Sequence, residues 1–125
     1  MQKIINTTAA PAPIGPYNQA VQAGGFLFVS GQIALDPVSG EVTKGDVGVE
    51  AEQVMKNLGA ILEAAGLEYG NVIKTTIFLK DMNDFARVNE VYGRYFTQNF
   101  PARETVQVAG LPKDVQVEIS VIAAT

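Results

Sequence analysis

The stretch Val115-Gln-Val-Glu-Ile-Ser-Val-Ile-Ala123 decides the fold, because its first seven residues alternate strictly between apolar and polar side chains. Successive side chains of a strand point to opposite faces of a sheet. The apolar positions from Val115 to Val121 therefore share one face, and Glu118 and Ser120 share the other. This pattern predicts a strand that packs under helices on its apolar side and presents a carboxylate on the opposite side.

The residues upstream of this strand carry alternating strand and helix signals. Asp46 is a suitable helix N-cap, and Gly66 lies where a left-handed C-terminal cap belongs. A second helix is predicted to begin after Asp81 or Asn83, and Pro101 prevents its continuation. The remaining strands are predicted over residues 3–6, 18–23, 26–35, 71–80 and 104–109.

The resulting order, β-β-β-α-β-α-β-β, predicts an α+β fold with a single mixed sheet of about six strands and two helices on one face. Strict alternation over residues 26–35 places Phe26, Phe28, Ser30 and Gln32 on one face and Leu27, Val29, Gly31 and Ile33 on the other. Both faces of this strand are thus apolar, and charged residues make up only 18% of the chain, where ~25% is typical. Self-association, in a ring, is the simplest way to cover the face that the helices leave open.

The composition excludes several kinds of chemistry. The chain of 125 residues has no Cys, no His and no Trp, and its length favours one domain over residues 1–125. Without Cys and His there is no disulfide, no thiolate nucleophile, no Ser-His-Asp machinery and no histidine metal ligand. We expect no metal and no cofactor, and any catalysis must use carboxylates, Lys, Arg, Tyr, hydroxyls, backbone amides and water.

The charge and hydropathy patterns restrict the partners and the location. The net charge is −4, and the 9 Lys and Arg residues form no cluster, which argues against nucleic acid as the main partner. No apolar run approaches the ~20 residues of a membrane span. Residues 1–14 lack the apolar core of a secretory signal, so we expect a cytoplasmic protein without a membrane partner.

Two charged side chains are the first candidates for a functional site. Arg103 follows Pro101-Ala102 and enters a strand, and an arginine fork matches a planar carboxylate with two parallel hydrogen bonds. If the strands of Arg103 and Glu118 were neighbours, they would form a carboxylate clamp beside a water-activating base. The alternatives are an ordinary surface arginine and a solvent-exposed strand carboxylate.

Four further residues stand out by their sequence context. Tyr17 follows a tight Ile14-Gly15-Pro16 entry into a strand, and Ser30-Gly31 interrupts a strand of large residues. Glycine inside a strand often marks the close approach of a ligand or of another backbone. Asn89 lies among the apolar positions of the second helix, where its amide needs hydrogen-bond partners. A tyrosine at a strand end is ordinarily a packing residue, and without His we do not expect Ser30 to act as a nucleophile.

Taken together, several motifs resemble the Rid family, the reactive intermediate deaminases, and most closely its imine-deaminase subgroup. Older members were labelled translation inhibitors or endoribonucleases. The resemblance spans nearly the whole chain, and its most specific part runs from Pro101-Ala102-Arg103 to Val117-Glu118-Ile119. The motifs are Ile14–Tyr17, Val29–Ile33, Lys74–Thr76, Phe85–Asn89, Pro101–Arg103 and Leu111–Ile119.

The resemblance implies a chorismate-mutase-like α+β fold and a homotrimer with an inner barrel and three clefts between subunits. It implies hydrolysis of 2-imino acids, such as 2-iminobutanoate and 2-iminopropanoate, to 2-keto acids and ammonia, with no cofactor. Arg103 would bind the substrate carboxylate, and Glu118 would orient or activate water. The pocket would be shaped by Tyr17, Ser30, the Gly31 backbone, Asn89 and the Thr105 backbone.

Two positions depart from the family pattern. Thr105 stands where many relatives have Cys, and Glu104 stands where a small residue is common. As the strand neighbour of Arg103, Glu104 should point to the opposite face. Other functions remain open: a carboxylate-binding trimer without turnover, an endoribonuclease, or a chaperone-like protein. The acidic charge and the missing His weigh against the endoribonuclease.

Overall fold

The computed structural model describes residues 2–125. The sheet strands are β1 (Lys3–Ile5), β2 (Ala20–Ala23), β3 (Phe26–Gln32), β4 (Val72–Leu79), β5 (Ala102–Gln107) and β6 (Val117–Ala124). The helices are α1 (Val47–Ala64) and α2 (Phe85–Tyr92), with 3-10 turns at Tyr69–Asn71, Met82–Asp84, Gly93–Tyr95 and Pro112–Asp114. The predicted order of strands and helices is thus confirmed.

The six strands form one mixed sheet in the order β1-β2-β3-β6-β4-β5, in which only β4 and β5 run parallel. Helix α1 packs on β3 and β6, and α2 packs on α1. The α+β prediction, with two helices on one face of a single sheet, is therefore confirmed. No helix within residues 2–125 is long and apolar enough to cross a membrane.

Strand β6 shows the alternation that its sequence predicts. Val117, Ile119, Val121 and Ala123 are buried under the helices, and the residues between them are half-buried on the other face. Each fully buried Val or Ile side chain contributes about 1.5–3 kcal/mol through its removal from water. Glu118 therefore lies on the open face, between two of the most buried positions of the core.

Both ends of α1 follow the sequence signals. Asp46 is the N-cap, and its Oδ1 accepts a hydrogen bond from the backbone N–H of Val49 at 3.0 Å. Gly66 has a φ of +75°, the left-handed conformation that glycine adopts without steric cost. Helix α2 is shorter than predicted: it ends at Tyr92 and continues as a 3-10 turn from Gly93 to Tyr95, because glycine is a poor helix former.

The register of β3 differs from the prediction. Leu27 and Val29 are buried, as expected, but so is Gln32, which strict alternation had placed with Phe26 and Phe28. The cause is an irregularity in the pairing of β3 with β6 between Val29 and Gln32. Such a bulge shifts the phase of a strand by one residue, so that every side chain after it changes face.

The sheet face opposite the helices is apolar and open. Phe26 and Phe28 of β3 are 41% and 46% exposed, and their rings lie 6.3 Å apart. Val106 of β5 and Ile73 of β4 are similarly exposed. The expectation that this face needs a cover agrees with these exposures.

Candidate active site

A cavity of about 310 Å³ lies beside Glu118 at the end of β3. Its wall includes three of the sequence-predicted residues, Tyr17, Gly31 and Glu118. Most of the remaining lining is apolar. The lining residues are Pro11, Ala12, Ile14, Tyr17, Gln19, Gly31, Gln32, Ile33, Leu35, Pro112, Lys113 and Glu118.

The carboxylate of Glu118 packs against the backbone of Gly31. A methyl group added at Gly31 would lie 2.8 Å from both Cδ and Oε2 of Glu118, closer than any real contact of this kind. The bulge in β3 turns this glycine toward Glu118. The group that approaches the Gly31 backbone closely is therefore the Glu118 carboxylate. Burial raises the pKa of Glu118 above its ordinary value of 4.5, because the charged form loses hydration.

Tyr17 and Ser30 lie near the cavity with different roles. The Tyr17 hydroxyl accepts a hydrogen bond from the backbone N–H of Ile14 at 3.3 Å, and the ring is 49% exposed. The Ser30 hydroxyl donates to the carbonyl of Asn18 at 2.6 Å. Ser30 does not line the cavity; it ties β3 to the segment that enters β2.

Arg103 lies on the other side of the sheet, under α2. Its Nη1 donates to Oδ1 of Asn89 at 2.7 Å, which supplies the partner that the Asn89 amide was expected to need. The guanidinium stacks over the rings of Tyr92 and Phe85, with its carbon 5.1 and 5.6 Å from the ring centroids. A depression of about 260 Å³ opens beside it, bounded by Phe100 and Pro101 among others. The fork is thus held in place before any ligand arrives.

The ion pairs distinguish Arg103 from the other two arginines. Arg87 and Arg94 each pair with carboxylates on the outer surface of the helices. Arg103 makes no ion pair with any carboxylate of residues 2–125. Glu104 points away from it, as expected, and pairs with Lys74 at 3.4 Å. The charge of Arg103 is therefore available to an anionic ligand.

Thr105 shares the sheet face of Arg103, two residues along β5. Its side-chain oxygen is buried and lacks a hydrogen-bond partner, a property found at no other buried side-chain N or O atom of the described residues. A buried hydroxyl without a partner costs about 1–3 kcal/mol.

The sequence-predicted residues thus form two separate groups. Glu118, Tyr17 and Gly31 surround the cavity, while Arg103 and Thr105 lie on the helix-covered face of β5 and Asn89 contacts Arg103 from α2. The hypothesis that Arg103 and Glu118 lie on neighbouring strands is wrong, because β4 separates β5 from β6. They also lie on opposite faces, so one chain does not bring them to one ligand.

Sequence reasoning missed several residues around these groups. Tyr92 and Phe85 were given no role in the site, although aromatic rings can stack on an arginine guanidinium. Lys113 was part of a recognised motif but received no role, and it lines the Glu118 cavity. Across residues 2–125, no three His, Cys, Asp or Glu side chains are grouped so that they could hold a metal ion.

Known proteins resemble the chain over nearly its whole length. The family model described as Endoribonuclease L-PSP matches residues 7–125. A RutC family protein of Synechocystis sp. is 60% identical over 97% of this chain and 95% of its own. The 2-iminobutanoate/2-iminopropanoate deaminase of Mus musculus is 54% identical over 98% of this chain and 91% of its own.

A solved structure matches equally well. It is a protein of unknown function from Yersinia pestis, described as a member of the conserved Rid protein family. It superposes with a TM-score of 0.98 at 43% identity and covers 100% of both chains. With a family model and close relatives covering almost every residue, the chain belongs to the Rid family, whose family model carries the description Endoribonuclease L-PSP.

Proposed function

We propose that the protein hydrolyses reactive 2-imino acids, such as 2-iminobutanoate and 2-iminopropanoate, to 2-keto acids and ammonia. The observation that carries the proposal is the free guanidinium of Arg103, positioned by Asn89 and two aromatic rings but without a carboxylate partner in residues 2–125. A substrate with a planar carboxylate can form two parallel hydrogen bonds with such a fork. The deaminase name of the mouse relative supports the same substrate class.

The chemistry fits a site built without His, Cys or metal ligands. Water adds to the imine carbon and one of its protons passes to nitrogen, which gives a carbinolamine. The hydroxyl proton of the carbinolamine then passes to nitrogen as the carbon–nitrogen bond breaks, which leaves a 2-keto acid and ammonia. In each of these two steps an ionised Glu118 accepts a proton from oxygen and delivers it to nitrogen, so one carboxylate serves both transfers. Acid–base assistance of this kind is worth about 10²–10⁴-fold. Burial raises the pKa of Glu118, which makes its carboxylate a stronger base toward the attacking water.

The two groups of residues require more than one chain. We infer a homotrimer in which the Arg103 group of one subunit meets the Glu118 cavity of the next, which gives three equivalent sites. The open apolar face around Phe26 and Phe28 supports association, because large exposed apolar patches mark interfaces. The unpartnered hydroxyl of Thr105 supports it as well, since it lies beside the group that needs a complement.

Complementation between two inactive variants tests the whole proposal. Arg103→Ala and Glu118→Gln are each expressed and purified alone, and in a third preparation the two variants are co-expressed in equal amounts. For each preparation, keto-acid formation is followed in an assay coupled to a threonine dehydratase, with a trap for free imine. Each variant alone should lose at least about 10²-fold in rate. In mixed rings, each interface has one chance in four of joining an intact arginine to an intact glutamate, so activity should return to about one quarter of wild type.

Arg94→Ala is the matched control, because Arg94 lies on the outer surface and pairs only with Glu90 and Glu52. It should keep wild-type activity. If both single variants were active, the assigned roles would be contradicted. If the co-expressed variants recovered no activity, the site shared between subunits would be contradicted. A wild-type protein that binds 2-keto acids without turning over any imino acid would replace the deaminase with a non-catalytic carboxylate-binding trimer.

A further inference from the structure

The segment Thr7–Tyr17, which we call the N-terminal wall, has no helix or strand. Three of its residues, Pro11, Pro13 and Pro16, lack a backbone N–H, so it can form few hydrogen bonds of its own. It nevertheless contributes Pro11, Ala12, Ile14 and Tyr17 to the cavity beside Glu118. A segment with this composition holds a defined position only if another part of the chain holds it.

Gln19 holds the N-terminal wall. Its side-chain oxygen accepts from the backbone N–H of Thr7 at 2.6 Å, and Nε2 donates to the carbonyls of Thr7, Ala10 and Pro11 at 3.0, 3.3 and 2.7 Å. The side chain is only 1% exposed. One amide therefore satisfies the peptide groups at three points of the wall.

Only glutamine among the standard residues fits this position. Its amide presents a donor and an acceptor at one end, at the reach that the contacts require. A glutamate in its place would turn an oxygen toward the three carbonyls, and a methionine would leave all of them unpaired. The backbone N–H of Gln19 also donates to Oδ1 of Asn6 at 3.0 Å, which fixes the base of the same side chain.

The chemistry of the cavity assigns the wall to one part of a ligand. The carboxylate of an imino acid belongs with Arg103, and the water with Glu118. Pro11, Ala12 and Ile14 offer only apolar side chains to the cavity and match the alkyl group of the substrate. The Gln19 hydrogen bonds, together with the burial of Ala10 in the core, set the position of the wall, and this position determines how large that alkyl group can be.

We propose that Gln19 is a positioning residue that sets the substrate size limit by fixing the N-terminal wall against the Glu118 cavity. The inference rests on the proposed imino acid hydrolysis and adds its specificity. An apolar pocket can distinguish two substrates that differ by one methylene group by about 10–200-fold in kcat/KM. Releasing the wall should reduce that discrimination while leaving the reacting groups in place.

The test measures kcat and KM of wild type and Gln19→Met on imino acids generated by an amino-acid oxidase from alanine, 2-aminobutanoate, norvaline and leucine. Wild type should favour the smaller substrates. In Gln19→Met the ratio of kcat/KM between the smallest and the largest should fall by about tenfold, through KM rather than kcat. A wild type without size preference, or a variant with an unchanged ratio, would overturn the inference.

A second variant guards against poor folding of Gln19→Met. Ile14 is 67% exposed, so Ile14→Ala removes little buried surface and should leave the fold intact. It shortens a side chain of the wall and should shift the same ratio in the same direction. Tyr69→Phe is the control for lost stability, because it removes a half-buried hydrogen bond to the carbonyl of Met55, outside the cavity lining. It should leave the size preference as in wild type.

Failure of the proposed function can be separated from failure of this inference. If wild type hydrolyses no imino acid, binding of 2-keto acids of increasing chain length replaces the rate measurement. Hydrogen exchange adds a readout independent of any ligand: in Gln19→Met the amides of Thr7, Ala10 and Ala12 should exchange faster, with α1 unchanged. If Gln19→Met binds the 2-keto acids of different chain length with the same ranking of affinities as wild type, the inference is overturned, even for a protein without activity.

Discussion

Replacing Gly31 by alanine tests the link between backbone geometry and the reactive carboxylate. Gly31 adopts no left-handed conformation, so its backbone accepts an alanine without strain. The added methyl group would lie 2.8 Å from Cδ of Glu118, whereas ordinary contacts begin at 3.4 Å. The difference requires the carboxylate to move by about 0.6 Å, or the strand to move by the same amount.

The expected loss follows from the size of this displacement. A misplacement of about 1 Å costs on the order of 10²-fold in rate, so a shift of about 0.6 Å should lower kcat by roughly 10- to 100-fold. KM should change little, because Arg103 lies on the other face of the sheet and keeps its contacts with Asn89. The free energy of unfolding should also change little, since a side-chain carboxylate at a half-exposed position can move.

The assay is the coupled imine hydrolysis, run beside thermal unfolding of the same preparations. Gly110→Ala is the matched control, because Gly110 has no atom within 4 Å of an added methyl group and no positive φ. It should behave as wild type. Wild-type kcat in Gly31→Ala would refute the reasoning, because it would show that the position of the Glu118 carboxylate does not limit the reaction.

Two further changes address the pKa and the open face. In an Arg103→Ala background, Glu118→Gln should raise Tm at pH 7, because burial raises the folded pKa of Glu118 and its ionised form weakens the fold. The difference should disappear as the pH falls below the ordinary carboxyl value, where Glu118 is protonated in both states; a constant difference across pH would contradict it. Phe28→Glu should convert the proposed trimer, three times 13.3 kDa or about 40 kDa, to a monomer in light scattering. Val38→Glu, at a 96% exposed loop position, should not, and a trimeric Phe28→Glu would show that the subunits do not meet through this face.

Features encoded locally were predictable from the sequence. The alternation of β6 placed Glu118 on the correct face, because burial of one side of a strand fixes its phase. Asp46 and Gly66 marked the ends of α1, because caps satisfy particular backbone groups at particular positions. The expected need of the Asn89 amide for a partner also led to the correct neighbourhood, that of Arg103.

Features set by tertiary pairing were not predictable in this way. The bulge between Val29 and Gln32 arises from pairing with β6, and no residue of β3 alone signals it, so the face of Gln32 was predicted wrongly. Strand order is similar: β4, α2 and β5 form a parallel unit, which places β5 beyond β4 and away from β6. Alternation fixes the face of each strand, but it carries no information about its neighbours.

If Arg103 and Glu118 act as proposed, their placement on opposite faces of one sheet makes activity depend on protein concentration. A lone chain holds both reactive groups and cannot apply them to one molecule. The rate per milligram of protein should therefore fall when the protein is diluted below the dissociation constant of the assembly. In that range the reaction rate should rise more steeply than in proportion to the protein concentration. A newly synthesised chain would be inactive until it associated with other copies, so activity would begin only when synthesis had raised the protein concentration enough for assembly.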